Sequence, residues 1–268
     1  MSITTEKHTN NTLIGSGEVY LDLLDAQDGT TGERYLGDAV SANLSVTTER
    51  AQVFSGTGPI AKKLVDQVRS LSRTFTITLR DISADNLALF VGAPEPATVA
   101  DAAIEVENEP LTVRKGRWYQ LGVSDDKPTG VGAVSAVAAD TTVAKKTGNT
   151  IYVAGTDYTL DAKRGRLYIE PGGAIADGAE LKVTYTPVAA SRRQVRTGEL
   201  SEVRAAMRYI EDSAAGEGRN YYAVLCSVGA SGELGLMSRD TEQQIQLTCE
   251  ILEPEDGRPA LVIDGEAA

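Results

Sequence analysis

Apolar and polar residues alternate along much of the chain, and an alternation with a period of two residues predicts β-strands rather than helices. The first such stretch precedes a turn at residues 28–29, and its apolar positions are Val19, Leu21 and Leu23. The second has hydroxyl and amide side chains on its other face, and its apolar positions are Val40, Ala42, Leu44 and Val46. We therefore expect strands with one apolar and one polar face.

The most regular alternation covers residues 73–81, and its apolar positions are Phe75, Ile77 and Leu79. A short helix should follow this strand, because Ser83 is a favourable N-cap residue. Gly92 and the prolines just after it would end the helix.

Residues 50–69 separate the second strand from the third, and a connection of that length is usually either functional or disordered. The apolar content of the segment argues against disorder, so we interpret it as a projecting arm that docks on another surface. The residues assigned to this arm are Val53, Phe54, Pro59, Ile60, Leu64 and Val65.

The middle of the chain has a different sequence pattern, with short β-like segments separated by Gly, Asp and Lys. Regular short strands with turn residues between them suggest a small sandwich. The predicted segments are residues 103–106, 117–123, 134–137, 151–154, 158–160, 166–169 and 181–185. Longer alternating strands return afterwards, in residues 203–209, 222–228 and 244–251.

This change from long alternating strands to short segments and back predicts two domains in a mainly β protein. The outer, discontinuous domain comprises residues 1–96 and 190–268, and the inserted β-sandwich domain comprises residues 97–189. The chain has 268 residues, of which 41% are hydrophobic, with 3 Phe and 1 Trp but 10 Tyr. A core built mainly from Val, Ile, Leu and Ala favours thin sheets over a large helical bundle.

The formal net charge is -12, and it is unevenly distributed. Residues 97–189 contain 12 acidic and 10 basic side chains, so the outer domain has -10 of the total. Groove binding to nucleic acid requires clustered Lys and Arg, and this composition argues against it. A wall past which DNA slides without sticking would instead benefit from negative charge.

Few residues are available for catalytic or metal chemistry. The only histidine is His8, the only cysteines are Cys226 and Cys249, and neither CxxC nor G-x-S-x-G occurs. Zinc sites, thiolate–imidazole pairs and Ser-His-Asp triads are therefore not expected. We expect both cysteines to be buried and reduced, with a structural disulfide as the alternative. The sequence predicts no enzyme activity, no metal and no cofactor.

Three small clusters have weaker chemical readings. The motif Gly15-Ser16-Gly17 is half of a dinucleotide fingerprint, but Tyr20 occupies the third glycine position and no helix follows. Three aspartates do not match the spacing of a calcium loop, and we interpret them as solvated carboxylates: Asp22, Asp25 and Asp28. One basic cluster suggests a solvated linker or a salt-bridge site between subunits, with anion binding as the alternative: Arg192, Arg193 and Arg196.

The first ten residues are polar, and no run approaches the roughly 18 apolar residues that a membrane helix needs. We therefore expect no signal peptide and no membrane insertion. The protein should be cytoplasmic when it is made.

The order of these features resembles the tail tube proteins of long-tailed, non-contractile bacteriophages. The likeness rests on a strand, a turn, an alternating strand, an apolar-tipped arm, TFTITLR and SADNLALFVGA, over residues 15–93 and more loosely 201–252. The segments VAGTDYTLD and GRLYIEPGGAIADGAELKVTYT resemble immunoglobulin-like or decoration-type insertions of phage tail and adhesion proteins.

This resemblance implies a tail-tube β sandwich or barrel with one flanking helix and a stacking arm. It implies hexameric rings that stack into a virion tail tube, which encloses the tape-measure protein and later passes DNA without specific binding. Tail terminator and distal tail proteins would be further partners. Polar strand faces suit a water-filled lumen, and the candidates for it are Thr74, Thr76, Thr78, Gln244, Gln246, Thr248 and Glu250. We hypothesise that part of the acidic excess lies on this wall.

Two other functions remain open. The first is a carbohydrate-binding or adhesion protein of the tail tip or surface, which would use the inserted domain and the many tyrosines. The second is the tube protein of a contractile injection apparatus, whose fold would be similar.

Overall fold

The chain folds mainly as antiparallel β-strands. The computed structural model describes residues 15–25, 28–148, 150–198, 202–212 and 218–265. The elements along these residues are β1 (Gly17–Leu23), β2 (Arg34–Tyr35), β3 (Ala39–Phe54), β4 (Lys63–Leu79), α1 (Ala84–Val91), β5 (Ala97–Asp101), β6 (Val106–Val113), β7 (Trp118–Gln120), a 3₁₀ turn (Ala138–Asp140), β8 (Thr142–Lys145), β9 (Tyr158–Asp161), β10 (Arg166–Ile169), β11 (Ala179–Tyr185), β12 (Ala190–Gln194), β13 (Val203–Glu211), β14 (Asn220–Ala230), β15 (Ile245–Ile251) and β16 (Leu261–Asp264).

The chain divides into two compact units. The outer unit runs to Pro96 and resumes at Val195, and the inserted unit is Ala97–Gln194. The inserted unit extends past the predicted boundary at residue 189, because β12 pairs with β5 over their whole length. This pairing holds the two ends of the inserted unit side by side.

The outer unit is built on one eight-stranded sheet that does not close into a barrel. Its strand order is β2-β1-β13-β14-β15-β4-β3, and β16 pairs with β14 beside β15. One face of the sheet is apolar, and the predicted alternation in β4 is confirmed because Phe75, Ile77 and Leu79 are all buried. The same face of β15 contributes Ile245 and Leu247 to this core.

Helix α1 packs on this sheet against β14 and β15. The predicted caps are confirmed: the Ser83 hydroxyl accepts a hydrogen bond from the Asn86 N–H at 3.3 Å, and Gly92 has a left-handed conformation with φ 63°. Asn86 is completely buried, and its side-chain amide donates to the carbonyls of Leu36 and Asp81. Because Arg34 donates to the Asn86 oxygen, every polar atom of this buried side chain is satisfied.

The structure corrects the predicted faces of β3. Ala39 pairs with Leu79 and Ser41 with Thr78, so Val40 is the extra residue of a β-bulge and is 43% exposed. Its assignment to the apolar core face was therefore wrong.

The segment at residues 50–69 was predicted as a connection, but most of it is strand. β3 and β4 continue as a two-stranded antiparallel ribbon, and only residues 55–62 lie outside the strands. Since β15 pairs with β4 only from Thr74 to Leu79, the ribbon beyond Thr74 has no third strand among the described residues.

The inserted unit has two three-stranded sheets, β7-β10-β9 and β6-β11-β8, which share one apolar core. The predicted strands at residues 158–160, 166–169 and 181–185 are confirmed. The predicted strand at residues 103–106 is wrong, because β6 begins only at Val106. The predicted strands at residues 134–137 and 151–154 are wrong, because these segments form only isolated bridges. Strands β6 and β8 were missed, and their mixed polar composition gives no clear alternation.

Candidate assembly surfaces

Where β3, β4 and β15 pair, the face of the outer sheet opposite the core is polar, and six of the seven predicted lumen residues form adjacent pairs there. The pairs are Thr78 with Gln246, Thr76 with Thr248, and Thr74 with Glu250. The rows continue onto β3 through Ser41, Asn43 and Ser45. Gln244 lies one residue before β15 and donates to Glu242.

We name these rows on β3, β4 and β15 the polar face, and they are only weakly charged. In the rows where these three strands pair, Glu250 is the residue with a formal charge. Hydroxyl and amide groups occupy the other positions. The acidic excess of the outer unit is therefore not concentrated on these rows.

Both edges of the outer sheet leave backbone groups for further pairing. β3 pairs only with β4 among the described residues, although it is 16 residues long. At the other edge, β2 is two residues long and pairs with only Tyr20 and Leu21 of β1. Long unpaired edges are sites at which another chain can add strands.

The ribbon formed by β3 and β4 presents apolar side chains to solvent, and we name residues 50–69 the arm. All six predicted arm residues are exposed, with Ile60 at 76% and Leu64 at 63%. Val53 lies opposite Val65 across the ribbon. An apolar surface of this extent on an isolated ribbon indicates a contact that a single copy does not make.

Charged groups on the arm form two ion pairs, of which the pair with Arg50 joins its two strands. Asp66 accepts from Lys63 at 3.0 Å and from Arg50 at 2.9 Å. These hydrogen bonds lower the pKa of Asp66, and the one from Lys63 has the larger effect. The tip turns through Gly58, whose φ of +98° suits glycine.

A second apolar projection lies at the other end of the sheet, in residues 231–244, which we name the end loop. Its Leu236 is 79% exposed and its Met237 is 96% exposed. Arg80, just past β4, anchors the loop through Glu242 at 2.8 Å. The sequence analysis missed this site, although a Leu-Met pair within a Gly-rich polar connection was a usable signal.

The inserted unit exposes an aromatic surface on the outer side of sheet β7-β10-β9. Trp118 is 43% exposed, and its ring centroid lies 5.0 Å from that of Tyr168 on the neighbouring strand. The guanidinium of Arg166 lies 5.2 Å from the centre of the Trp118 ring. The sequence analysis did not single out these residues.

The structure corrects the reading of the three aspartates. Asp22 is buried, not solvated, and its carboxylate accepts from the N–H groups of Thr31 and Gly32 at 2.9 and 2.8 Å. Asp25 accepts from the Gly29 N–H, and Asp28 pairs with Arg204 at 3.3 Å. These contacts organise the turn between β1 and β2.

No cluster of three His, Cys, Asp or Glu side chains suited to a metal ion occurs within the described residues. His8 lies outside those residues. Gly17 begins a strand, not a phosphate-binding helix, and a side chain there would collide with the Ile210 carbonyl.

The prediction of two buried, reduced cysteines is confirmed. Cys226 and Cys249 are both buried and free, and they lie on the adjacent strands β14 and β15. Burial raises the pKa of the Cys226 thiol to about 12 and also raises that of Cys249. Both thiols are therefore poor nucleophiles.

Arg192 of the predicted basic cluster has a defined structural role. Arg192 pairs with the buried carboxylate of Asp101 and donates to the Gly130 carbonyl. Lys127 Nζ donates to Asp101 Oδ1 at 3.0 Å, and the Gly132 N–H donates to Asp101 Oδ2 at 3.0 Å. Arg192 is thus committed to a structural network beside β5 and β12.

Within the described part of the chain, the structure contains no helix of the length and apolarity that a membrane crossing requires. A family model described as "Protein of unknown function UCP028589" matches residues 12–256. No curated protein matches the chain significantly.

Proposed function

We propose that this chain, which belongs to the family described as protein of unknown function UCP028589, is the tube subunit of a long, non-contractile phage tail. Six copies form a ring, and rings stack into a tube in the virion. The observation that supports this best is the outer sheet, which has one apolar face, one polar face and two edges open to pairing.

In this proposal, a ring forms because the open edges of the outer sheet pair between neighbouring copies. Joining the β3 edge of one copy to the β1–β2 edge of the next satisfies backbone groups that a single copy leaves open. Closing the ring removes all edges and places equivalent faces of every sheet on the inside. Helix α1 packs on the apolar face at β14 and β15, so the polar face is the one available to line a water-filled lumen.

The chemistry of the polar face suits a conduit. Hydroxyl and amide groups on β3, β4 and β15 keep the lumen hydrated. Two arginines of β13 lie on the same side of the sheet, Arg204 and Arg208, and their ion pairs with Asp28 and Glu33 reduce the positive charge that could bind phosphate. The tape-measure protein would fill the lumen before infection, and DNA would pass during it without specific binding. Tail terminator and distal tail proteins would contact the two ends of the tube.

Electron microscopy of the purified full-length protein at increasing concentration tests this function. Rings or striated tubes with a central channel are the expected result. A protein that remains monomeric in sedimentation at every concentration, with no rings in the images, would overturn the proposal. Because assembly should bury the β3 edge, slower amide hydrogen exchange in residues 39–46 of the assembled form provides an independent readout.

A second candidate function applies to the inserted unit alone, namely glycan binding. The observation that favours it is the exposed Trp118 beside Tyr168, with Arg166 and Asp161 in the adjacent row of the sheet. An aromatic ring can stack on a sugar while neighbouring charged groups bind its hydroxyls. Glycan retention by the full-length protein that Trp118→Ala removes, and Tyr35→Ala on the outer unit does not, would establish it. Equal retention by both variants would exclude this surface.

A further inference from the structure

The arm and the end loop lie at opposite ends of the same strand. The tip of the arm joins β4 at Lys63, whereas the end loop is anchored beside Leu79, where Ile245 pairs with the last residue of the strand. A continuous strand of this length spans roughly 55 Å at about 3.3 Å per residue. The tip of the arm of one copy therefore cannot contact the end loop of the same copy.

The two surfaces are complementary in charge. In a chain whose net charge is -12, the arm has four basic side chains and one acidic side chain, a net charge of +3. The end loop has three acidic side chains and one basic side chain, a net charge of -2. Opposite charges on two surfaces promote their encounter and fix their relative orientation.

Both surfaces also expose large apolar side chains next to these charges. Ile60 and Leu64 project from the arm, and Leu236 and Met237 project from the end loop. Each group would be covered by burying it against the other, and a two-stranded ribbon is marginally stable until something packs on it. The apolar and the charged complementarity thus point to the same pair of surfaces.

From these observations we infer that the arm of one copy docks on the end loop of another copy, end to end along the tube. This inference rests on the proposed function and identifies the partner surface of the arm. The contact is heterologous, since the two surfaces differ and lie at opposite ends of the sheet. Repetition of such a contact adds copies without limit along one axis, which is the requirement for a stacked tube.

A charge exchange tests the pairing. Lys62 on the arm and Glu233 on the end loop are both exposed. Lys62→Glu alone and Glu233→Lys alone should each shorten the tubes at least threefold, and the double variant should recover at least half of the lost length. Lys163→Glu, at an exposed turn of the inserted unit, is the matched control and should leave tube length unchanged. Failure of the double variant to recover would count against the pairing.

Cross-linking locates the contact directly. Ile60→Cys and Met237→Cys variants, mixed under mild oxidation, should give a disulfide-linked dimer, whereas Ile60→Cys with Val123→Cys should not. The native cysteines do not interfere, because both are buried and have raised pKa values. Each variant is first shown to be folded by circular dichroism.

The outcomes separate the two proposals. Tubes that form without the Ile60–Met237 disulfide overturn the docking inference and leave the tube function standing. A dominant Ile60–Ile60 disulfide indicates a symmetric contact and also overturns it. Wild-type protein that forms neither rings nor tubes overturns the tube function and the docking inference together.

Discussion

Thr76 on β4 lies directly opposite Thr248 on β15, and both hydroxyl groups are on the face opposite the buried core. The residues that follow Thr76 and precede Thr248 are Ile77 and Leu247, which also pair and are completely buried. One step along each strand therefore changes the environment from the polar face to the core. This two-sidedness is the structural basis of the proposed conduit.

The difference between the two faces can be measured at neighbouring positions. Thr76→Val, at a partly exposed site, should change the free energy of unfolding by less than about 0.5 kcal/mol. Ile77→Thr places a hydroxyl in the core and removes apolar volume, and it should cost about 2–4 kcal/mol. Urea unfolding of both variants is the measurement. Similar costs at the two positions would contradict the assignment of the faces.

The same alternation explains why the sheet could be predicted from sequence. A strand that is buried on one side and wetted on the other repeats its polarity every two residues, so β4 and β15 were recognisable in isolation. The six paired lumen candidates were predictable for the same reason. Their register was not, because it depends on which strands are neighbours.

Features that depend on a partner strand escaped the sequence analysis. The bulge at Val40 exists only relative to β4, and the alternation of the isolated segment gives no sign of it. The arm has two further register shifts, so its apolar residues do not alternate regularly and it resembled a connection. Asp22 was misread because its hydrogen-bond donors, Thr31 and Gly32, lie across a turn.

The inserted unit should depend on Asp101, whose carboxylate is completely buried between two cations. Asp101→Asn retains the shape of the side chain but removes the charge that compensates Lys127 and Arg192. Since both cations are partly exposed, we expect a loss of about 2–3 kcal/mol, below the cost for a fully buried pair. Calorimetry should show a lower melting temperature for the transition of the inserted unit. Asp125→Asn, at an exposed site, is the control.

The same carboxylate predicts how stability depends on pH. Desolvation by burial raises the pKa of Asp101, but hydrogen bonds from Gly132, Lys127 and Arg192 outweigh it and the net pKa is lowered from 3.8. A lowered pKa in the folded state contributes stability above the ordinary value, and that contribution is lost as pH falls through the folded value. Unfolding measured from pH 6 to pH 2 should therefore show an acid loss that Asp101→Asn reduces. An identical acid profile in the variant would contradict this origin.

The arm provides the prediction that bears most directly on assembly. Deletion of residues 56–59, or Phe54→Ala, should leave the fold intact, because these residues are exposed and make no contact with the core of the outer unit. The free energy of unfolding should change by less than about 0.5 kcal/mol. Tube formation should nevertheless fail, since Phe54 and the tip supply apolar surface to the next ring in the proposed stack.

Two measurements on the same samples separate folding from assembly in these arm variants. Circular dichroism and thermal melting report on the fold, and electron microscopy reports on tubes. Because ring closure uses the sheet edges, not the arm, the variants should still form single rings. Gly172→Ser, in an exposed turn of the inserted unit where a side chain meets open space, gives a matched control that keeps long tubes. Normal tubes from the deletion variant would refute the role of the arm, and loss of rings as well would show that the arm also acts within the ring.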